Sequence, residues 1–359
     1  MHSGARKFSL QTLPAEFYSA ARTDFLDLPN SNIKAKMTCR ICENSENNRL
    51  HRAREMMFGL RDEFDYLECA KCETLQIAEI PDLSRYYPQD YYSLSATDEL
   101  WFTKKLKTRL AARLAGEYFI NRRNFGGKYA AEKRDWIDYF FPASLKDPIL
   151  AINLQSRILD FGCGTGRLLQ ILHYFGFRNL TGADAFIETD IFYPSGVKIY
   201  RRSLEEFDSL FDLIMLHHSF EHLPNPFETL LEIHRLLSPE KFCLIRIPVV
   251  NFAWEKYGVN WVQLDPPRHL FVYTENGLRL LAEKAGFTVE RVIYDSESFQ
   301  FWASEQYLKD IPLTDKRSYH GDIDASIFTP EQLSDWENQT RELNAQDRGD
   351  QACFYLRKA

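Results

Sequence analysis

The sequence predicts a doubly wound α/β fold that follows a small cysteine-rich module, and three observations support this. A glycine-punctuated loop comes directly after a short apolar strand at 158–161. Strand and helix patterns then alternate from residue 156 to the end of the chain, which indicates a largely parallel sheet. Two Cys-x-x-Cys pairs, at 39–42 and 69–72, precede this region.

The glycine loop is the most informative stretch. Gly162, Gly164 and Gly166 separate the strand from a segment whose apolar residues recur at helical spacing. A strand that turns through glycines into a helix lets backbone N–H groups approach a ligand closely. Asp160 lies inside the strand, and the next strand-like run ends in Asp184, where a carboxylate can accept hydrogen bonds from both ribose hydroxyls.

This pattern resembles motif I of the class I methyltransferases that use S-adenosylmethionine (SAM). A dinucleotide fingerprint would place a third glycine where Arg167 stands, so SAM is favoured over NAD. The resemblance implies that SAM is held by the two acids and the glycine loop. It also brings Ser203 and Leu204, which follow the third strand at 197–200, to the adenine.

The remaining strands complete the expected sheet. The fourth, at 211–216, delivers His217 to the carboxyl edge, where open α/β sheets bind ligands, and we count His217 among the cofactor-binding residues. Asn225 is expected to cap the next helix, and Pro248 to stop a fifth strand at 242–247. A loop of about 25 residues follows, a length typical of functional or mobile loops. Then come a helix capped by Thr274, a sixth strand at 288–294 and a last one at 349–358.

Class I methyltransferases close their sheet with an antiparallel seventh strand. The resemblance therefore implies a seven-stranded Rossmann-like sheet whose last strand is antiparallel, with a helical insertion at about 296–348.

The two cysteine pairs predict a structural zinc ribbon. Cys39, Cys42, Cys69 and Cys72 offer four thiolates, which Zn²⁺ binds tetrahedrally, and four protein ligands leave no open position for catalysis. Unliganded or redox-active cysteines are the alternative.

These features divide the chain into four parts: a leader at 1–36, the ribbon module at 37–95, a basic helical linker at 96–150 and the methyltransferase domain at 151–359. Four tyrosines at 86, 87, 91 and 92 either line a substrate cleft or pack as a linker. The basic helices either cover the core or offer a face to phosphates or anionic lipid.

Composition narrows the class of protein. The formal net charge of −7 argues against a nucleic-acid binder. No run approaches the roughly 20 apolar residues of a membrane span, and no apolar signal core follows Met1. We therefore expect a cytoplasmic protein that acts on a small-molecule or glycan-precursor acceptor, with room for peripheral membrane contact. The oligomeric state stays open.

The chain also resembles zinc-ribbon-bearing bacterial methyltransferases of sugar and polysaccharide biosynthesis. The resemblance rests on the cysteine pairs, the glycine loop, the Glu-His-Leu-Pro-Asn-Pro run at 221–226 and the Pro-Pro-Arg-His-Leu run at 266–270. It implies O- or C-methylation, with His269 as general base and with His222 and Glu221 as further catalytic candidates. The nucleotide-sugar C-methyltransferases have a glutamate where Arg268 stands and a further C-terminal domain, and this chain departs from both features.

Two alternatives remain at this stage. His218, Glu221 and His222 are spaced like a divalent-metal cluster that could polarise a hydroxyl. The chain could instead be a binding protein whose ribbon and basic helices dock RNA or a protein partner on a SAM-fold scaffold.

Overall fold

The computed structural model describes residues 37–88, 100, 103–122, 125–319 and 327–359. The expected leader and two of the four tyrosines, at 91 and 92, lie outside these ranges. Within them, no helix has the length and apolar character needed to span a membrane.

The cysteine-rich module is a small antiparallel sheet of β1 (Arg49–Arg54), β2 (Glu63–Glu68) and β3 (Leu75–Ile77). The two cysteine turns have the same geometry. Glu43 and Glu73 each adopt a left-handed φ and donate their backbone N–H to the carbonyl of the first cysteine of the pair, at 2.9 Å in both. Repeated turn geometry thus places two cysteine pairs at one end of the sheet.

The basic segment forms three helices, α1 (Leu106–Asn121), α2 (Phe125–Glu132) and α3 (Asp135–Phe140). The buried face of α1 is made of small residues and Phe119, whereas Leu106 and Leu110 are 80% and 56% exposed. A Cβ on Gly116 would lie 1.9 Å from the carbonyl oxygen of Phe175. Close backbone approach at Gly116 therefore decides which face of α1 is buried.

The central sheet follows in chain order: β4 (Arg157–Phe161), α4 (Arg167–Tyr174), β5 (Asn179–Ala183), β6 (Ile191–Phe192), β7 (Lys198–Tyr200), β8 (Phe211–His217), α5 (Pro226–Leu236), β9 (Leu237–Pro248), α6 (Phe252–Tyr257), β10 (Phe271–Val272), α7 (Glu275–Lys284), β11 (Phe287–Tyr294), α8 (Phe299–Leu308), α9 (Pro330–Ala345) and β12 (Gln351–Lys358). The sheet order is β11-β12-β9-β8-β4-β5-β7-β6. Strands β7, β5, β4, β8 and β9 run parallel, and β12 lies antiparallel between β9 and β11.

The antiparallel last strand is as expected, but the strand number is wrong. The described sheet has eight strands, because the two-residue β6 pairs antiparallel with β7 at the edge. A two-residue strand has no alternation that the sequence could show. Strand β9 ends at Pro248 as expected, although it begins earlier, at Leu237. Asn225 is at the N-cap position of α5, but its side chain makes no capping bond.

The segment between β9 and β10 is more ordered than a long loop. It contains α6 and two 3-10 turns, Gly258–Asn260 and Val262–Leu264. The region between β11 and β12 contains α8 and α9, with residues 320–326 not described.

The cysteine-rich sheet has a fourth strand, β10, which lies at the end of the segment after β9. Strand β10 pairs with β3, which gives the order β1-β2-β3-β10, and Ile77 donates its backbone N–H to the carbonyl of Leu270 at 2.9 Å. Thr274, which caps α7, also donates its hydroxyl to the carbonyl of Cys72 at 2.6 Å. The cysteine module is therefore completed by a strand that lies almost 200 residues later in the chain.

An ion network centred on a wholly buried pair, Arg268 and Glu55, joins the same two segments. Arg268 and Glu55 have no exposed surface, and their side chains meet at 3.1 Å between Nη2 and Oε1. Arg268 Nε donates to Asp265 at 2.9 Å, and Glu55 accepts the backbone N–H groups of Phe58 and Leu60, both at 2.9 Å. Each charge is thus paired and hydrogen-bonded, as a buried charge requires.

We expect Arg268→Ala to destabilise the fold by about 3–5 kcal/mol, because it leaves the buried carboxylate of Glu55 and the partly buried one of Asp265 without their cation. Arg317→Ala is the matched control: Arg317 pairs with Asp315 but is 54% exposed, so about 0–1 kcal/mol is expected. Urea unfolding measures both. Equal effects of the two variants would contradict the assigned role of the buried network.

Candidate active site

The glycine loop between β4 and α4 needs its glycines. Gly162, Gly164 and Gly166 all have positive φ, at +76°, +54° and +81°. A Cβ on Gly162 would lie 2.4 Å from the Cβ of Ser219, and one on Gly166 would lie 2.4 Å from Cδ1 of Ile199. Both backbone conformation and close packing therefore exclude larger residues there.

Two buried acids stand at the ends of neighbouring parallel strands. Burial, and then the charge of Asp184, raises the pKa of Asp160 to about 7. Burial also raises the pKa of Asp184, although its carboxylate accepts the backbone N–H groups of Gly164 and Phe186, each at 2.8 Å. A left-handed glycine loop flanked by two carboxylates suits a ligand that carries hydroxyl and amino groups. SAM has such hydroxyl and amino groups, and its sulfonium carries the methyl group that it would supply.

The other residues expected at the cofactor lie at the same edge of the sheet. Ser203 precedes the 3-10 turn Leu204–Glu206, where it forms a capping box with Glu206, and Leu204 is buried. His217 ends β8, and burial, followed by the charge of Arg246, lowers its pKa to about 3.

The chain brings Glu221, His222 and His269 together beside this loop. Ser219 donates its hydroxyl to the carbonyl of Phe161 at 2.7 Å, which holds the 3-10 turn Phe220–His222 against the end of β4. The backbone carbonyl of Glu221 accepts the N–H of Leu270 at 2.8 Å, and the rings of His222 and His269 are 4.8 Å apart. Two segments distant in sequence thus form one cluster.

Each imidazole of the cluster is fixed at one nitrogen. Nδ1 of His222 lies 2.8 Å from the carbonyl of Arg268, and Nδ1 of His269 lies 2.8 Å from the carbonyl of Gln263. Because a carbonyl can only accept, these contacts place the proton on Nδ1 and leave a lone pair on Nε2. Burial, then the neighbouring His222, lowers the pKa of His269 to about 4.

The carboxylate of Glu221 is wholly buried and accepts no hydrogen bond from any residue that the structure describes. The imidazole nitrogens that face it are His218 Nδ1 at 3.6 Å and His269 Nε2 at 3.9 Å, both beyond hydrogen-bonding distance. Burial raises the pKa of Glu221, but the facing histidines outweigh it and hold this pKa below the ordinary value.

The structure brings together a different set of possible metal ligands from the one that sequence spacing suggested, with His269 in place of His218. His218 turns its Nε2 to Arg246, 2.6 Å from Nη1, whereas Glu221, His222 and His269 each offer one ligand atom within 4.8 Å of the others. His269 takes the third place because β10 folds back against the 3-10 turn, which spacing alone cannot reveal.

Several residues around the cluster were not expected from sequence. Tyr66 of the cysteine-rich sheet donates its hydroxyl to the carbonyl of His269 at 2.7 Å. Asp350 accepts from Trp261 Nε1 at 2.9 Å and from Gln263 Nε2 at 2.7 Å, and so supports the carbonyl that holds His269. No sequence motif identifies such long-range contacts.

One of the tyrosines reaches the site. The ring of Tyr87 stacks on Phe186 at 5.4 Å, and its hydroxyl lies 3.2 Å from Nδ1 of His222. Tyr86 is instead buried, and its hydroxyl donates to Asp62 at 2.7 Å. Tyr87 therefore lies between Phe186, which follows Asp184, and His222, whereas Tyr86 packs within its own module.

The four cysteines form a second cluster, at the end of the small sheet. Their ligand atoms lie within 4.8 Å of one another, with Sγ–Sγ distances of 3.6 Å for Cys39–Cys72 and 3.5 Å for Cys42–Cys69. Zn–S bonds of about 2.3 Å in a tetrahedron place the sulfurs about 3.8 Å apart, so this geometry fits zinc. None of the seven cysteines, all within the described ranges, is in a disulfide.

Comparisons with known proteins agree with the fold and the glycine loop. Residues 125–292 match the family model described as "Methyltransferase domain". Residues 125–292 therefore form a methyltransferase domain, and the protein is an enzyme. A search of curated proteins found no match.

Solved structures offer only weak likenesses. The cyclopropane synthase MmaA2 from Mycobacterium tuberculosis is 17% identical, over 58% of this chain and 80% of its own, with a TM-score of 0.38. A possible histamine N-methyltransferase from Thermotoga maritima is 18% identical over 65% and 97%, with a TM-score of 0.37. The plantazolicin methyltransferase BpumL is 16% identical over 72% and 99%, with a TM-score of 0.38. Values this low say nothing of the acceptor.

We expect Gly162→Ala to weaken SAM binding about 5- to 150-fold, because a strained backbone costs about 1–3 kcal/mol and the new Cβ would displace Ser219. Gly196→Ala is the control, since Gly196 also has a positive φ, +91°, but open space around it. Isothermal titration calorimetry measures SAM affinity in both. Equal affinity in the two variants would remove the glycine loop from the cofactor site.

We expect Cys69→Ser to lose one zinc equivalent per chain and to lower the melting temperature by at least about 5 °C, because structural zinc contributes folding free energy directly. Cys353→Ala, a cysteine buried in β12, should keep the zinc. Elemental analysis and calorimetry give both readouts. Equal zinc content in wild type and Cys69→Ser would rule out the cysteine site.

Proposed function

We propose that this enzyme transfers the methyl group of SAM to a hydroxyl oxygen or a carbon of a sugar or polysaccharide precursor, and that His269 accepts the proton. The observation that carries the proposal is the cluster of Glu221, His222 and His269, held against the end of β4 by Ser219. Methyl transfer is an in-line displacement, so the protein must align acceptor and sulfonium and remove one proton.

His269 is the best-placed proton acceptor of the cluster. Its Nδ1 is engaged by the carbonyl of Gln263, so the lone pair of Nε2 is available. The Tyr66 and Arg268 contacts hold its backbone, which supports a fixed orientation. Glu221 lies 3.9 Å from Nε2, close enough for its negative charge to stabilise the imidazolium that forms.

The cofactor residues take roles that their positions support. We assign the amino acid and ribose portions of SAM to the glycine loop with Asp160 and Asp184, and the adenine to Ser203 and Leu204. His217, at the end of β8, would border the same pocket.

The acceptor class rests on the sequence resemblance, and two structural features are compatible with it. Tyr87 presents an apolar ring and a hydroxyl next to His222, as a sugar-binding surface often does. The buried carboxylate and two imidazoles beside it can orient a hydroxyl-rich ligand. We also propose that the ribbon at 37–95, the helices at 96–150 and the domain at 151–359 form one enzyme that works in the cytoplasm, where thiols stay reduced and can bind zinc.

The match to a methyltransferase domain favours an enzyme over the scaffold alternative. The basic helices remain compatible with a peripheral membrane contact, but no contact within the described residues requires one.

We expect His269→Ala to lower turnover about 10²- to 10⁴-fold, the usual share of general-base catalysis, while SAM affinity stays within about twofold. His173→Ala is the control, because His173 lies at the far end of α4 and contacts Arg178. Transfer of radiolabelled methyl from SAM to glycan precursors of the source cell measures turnover. Near-normal turnover would exclude His269 as the base, and loss of SAM binding would make it a cofactor ligand.

A further inference from the structure

We propose that Glu221, His222 and His269 form a binding site for one divalent transition-metal ion, distinct from the cysteine site. One ligand atom from each of the three lies within 4.8 Å of the others. The two clusters have different chemistry, four sulfurs in one and a carboxylate with two imidazoles in the other, so each can be followed separately.

The carboxylate of Glu221 is the main argument. Both oxygens are buried, and neither accepts a hydrogen bond from the residues that the structure describes. An unpaired buried carboxylate costs several kcal/mol, and a protein keeps one only where something compensates it. A cation bound to these oxygens would supply that compensation.

Nearby protein cations are already committed elsewhere. Arg268 pairs with Glu55 and Asp265. Arg246 pairs with Asp295 at 2.6 Å and contacts His218 on its other side. Each guanidinium thus already has an acidic partner other than Glu221.

Both histidines are arranged as metal ligands usually are. A ligating imidazole commonly donates its second N–H to a backbone carbonyl or a carboxylate, which fixes the ring and the tautomer. His222 does so to Arg268 and His269 to Gln263, each at 2.8 Å, and Asp350 in turn holds Gln263. The outer support of a metal site is therefore present before any ion binds.

The ligand set decides which ion fits. Two imidazoles and one carboxylate suit Zn²⁺, Fe²⁺ or Co²⁺, whereas Mg²⁺ and Ca²⁺ prefer oxygen ligands. Three protein ligands leave at least one coordination position open, as in catalytic metal sites. The 3-10 turn that contains His222 is held against the end of β4, where the cofactor loop begins.

This inference rests on the proposed function and refines one step of it. A metal ion held by Glu221, His222 and His269 would polarise an acceptor hydroxyl and lower its pKa. The hydroxyl proton leaves to water, the oxygen forms a bond to the methyl carbon, and the carbon–sulfur bond breaks to release the neutral thioether. Without the ion, Nε2 of His269 takes the proton directly.

The test uses Co²⁺ as a probe, titrated into the full chain whose cysteine-bound zinc has been quantified. We expect wild-type protein to bind one Co²⁺ with the weak visible absorption of nitrogen and oxygen ligands, without the intense thiolate bands of a cysteine site. Glu221→Gln and His269→Gln should each weaken this binding about 100-fold or more, since loss of even an outer-shell partner costs 10- to 100-fold.

His218→Gln is the matched control, because His218 faces Glu221 but belongs to the cluster suggested by spacing. It should retain Co²⁺ binding. Circular dichroism and SAM affinity show whether each variant is folded, and His222→Gln replaces any that is not. Absence of the visible bands in wild type, or loss of Co²⁺ in His218→Gln with retention in His269→Gln, would overturn the site. This readout needs no turnover, so failure of methyl transfer with intact Co²⁺ binding would instead count against the proposed function.

Discussion

The buried Arg268 guanidinium is the constraint on which the active region depends. It lies between Glu55 of the cysteine-rich sheet and Asp265 of the segment after β9. A charge removed from water must keep its partners, so the two segments are held at one relative position. His269 follows Arg268 directly, so the ion network also helps to fix the position of the His269 backbone. The cysteine module thus acts as a structural support for the active site.

In the cluster of Glu221, His222 and His269, burial and the neighbouring groups together set the pKa values. Burial alone would raise the pKa of Glu221 and lower that of His269, because it disfavours the charged form of each group. The facing imidazoles hold the pKa of Glu221 low, while burial and His222 hold the pKa of His269 low. A carboxylate therefore lies beside two imidazoles whose Nδ1 atoms are engaged and whose Nε2 lone pairs are available. That combination can accept a proton or a metal ion, because both need free lone pairs.

Failures of sequence interpretation share a physical cause. The leucines of α1 have helical spacing, yet the alanine and glycine face is buried, because Gly116 lets the helix touch the backbone at Phe175. Strands β6 and β10 have two residues each and show no periodicity, yet β10 completes the cysteine-rich sheet. His218 has the spacing of a metal ligand but turns to Arg246.

The sequence by itself determined what depends on neighbouring residues. Local patterns of residues are enough to predict the glycine loop with Asp160 and Asp184, the cysteine pairs, and the alternation of strands and helices. The antiparallel last strand follows from the resemblance that these patterns carry. Only the tertiary structure decided which distant groups meet. The pairing of His269 with Glu221 and His222, and the support from Glu55, Tyr66 and Asp350, arise because buried polar groups must find partners wherever the folded chain places them.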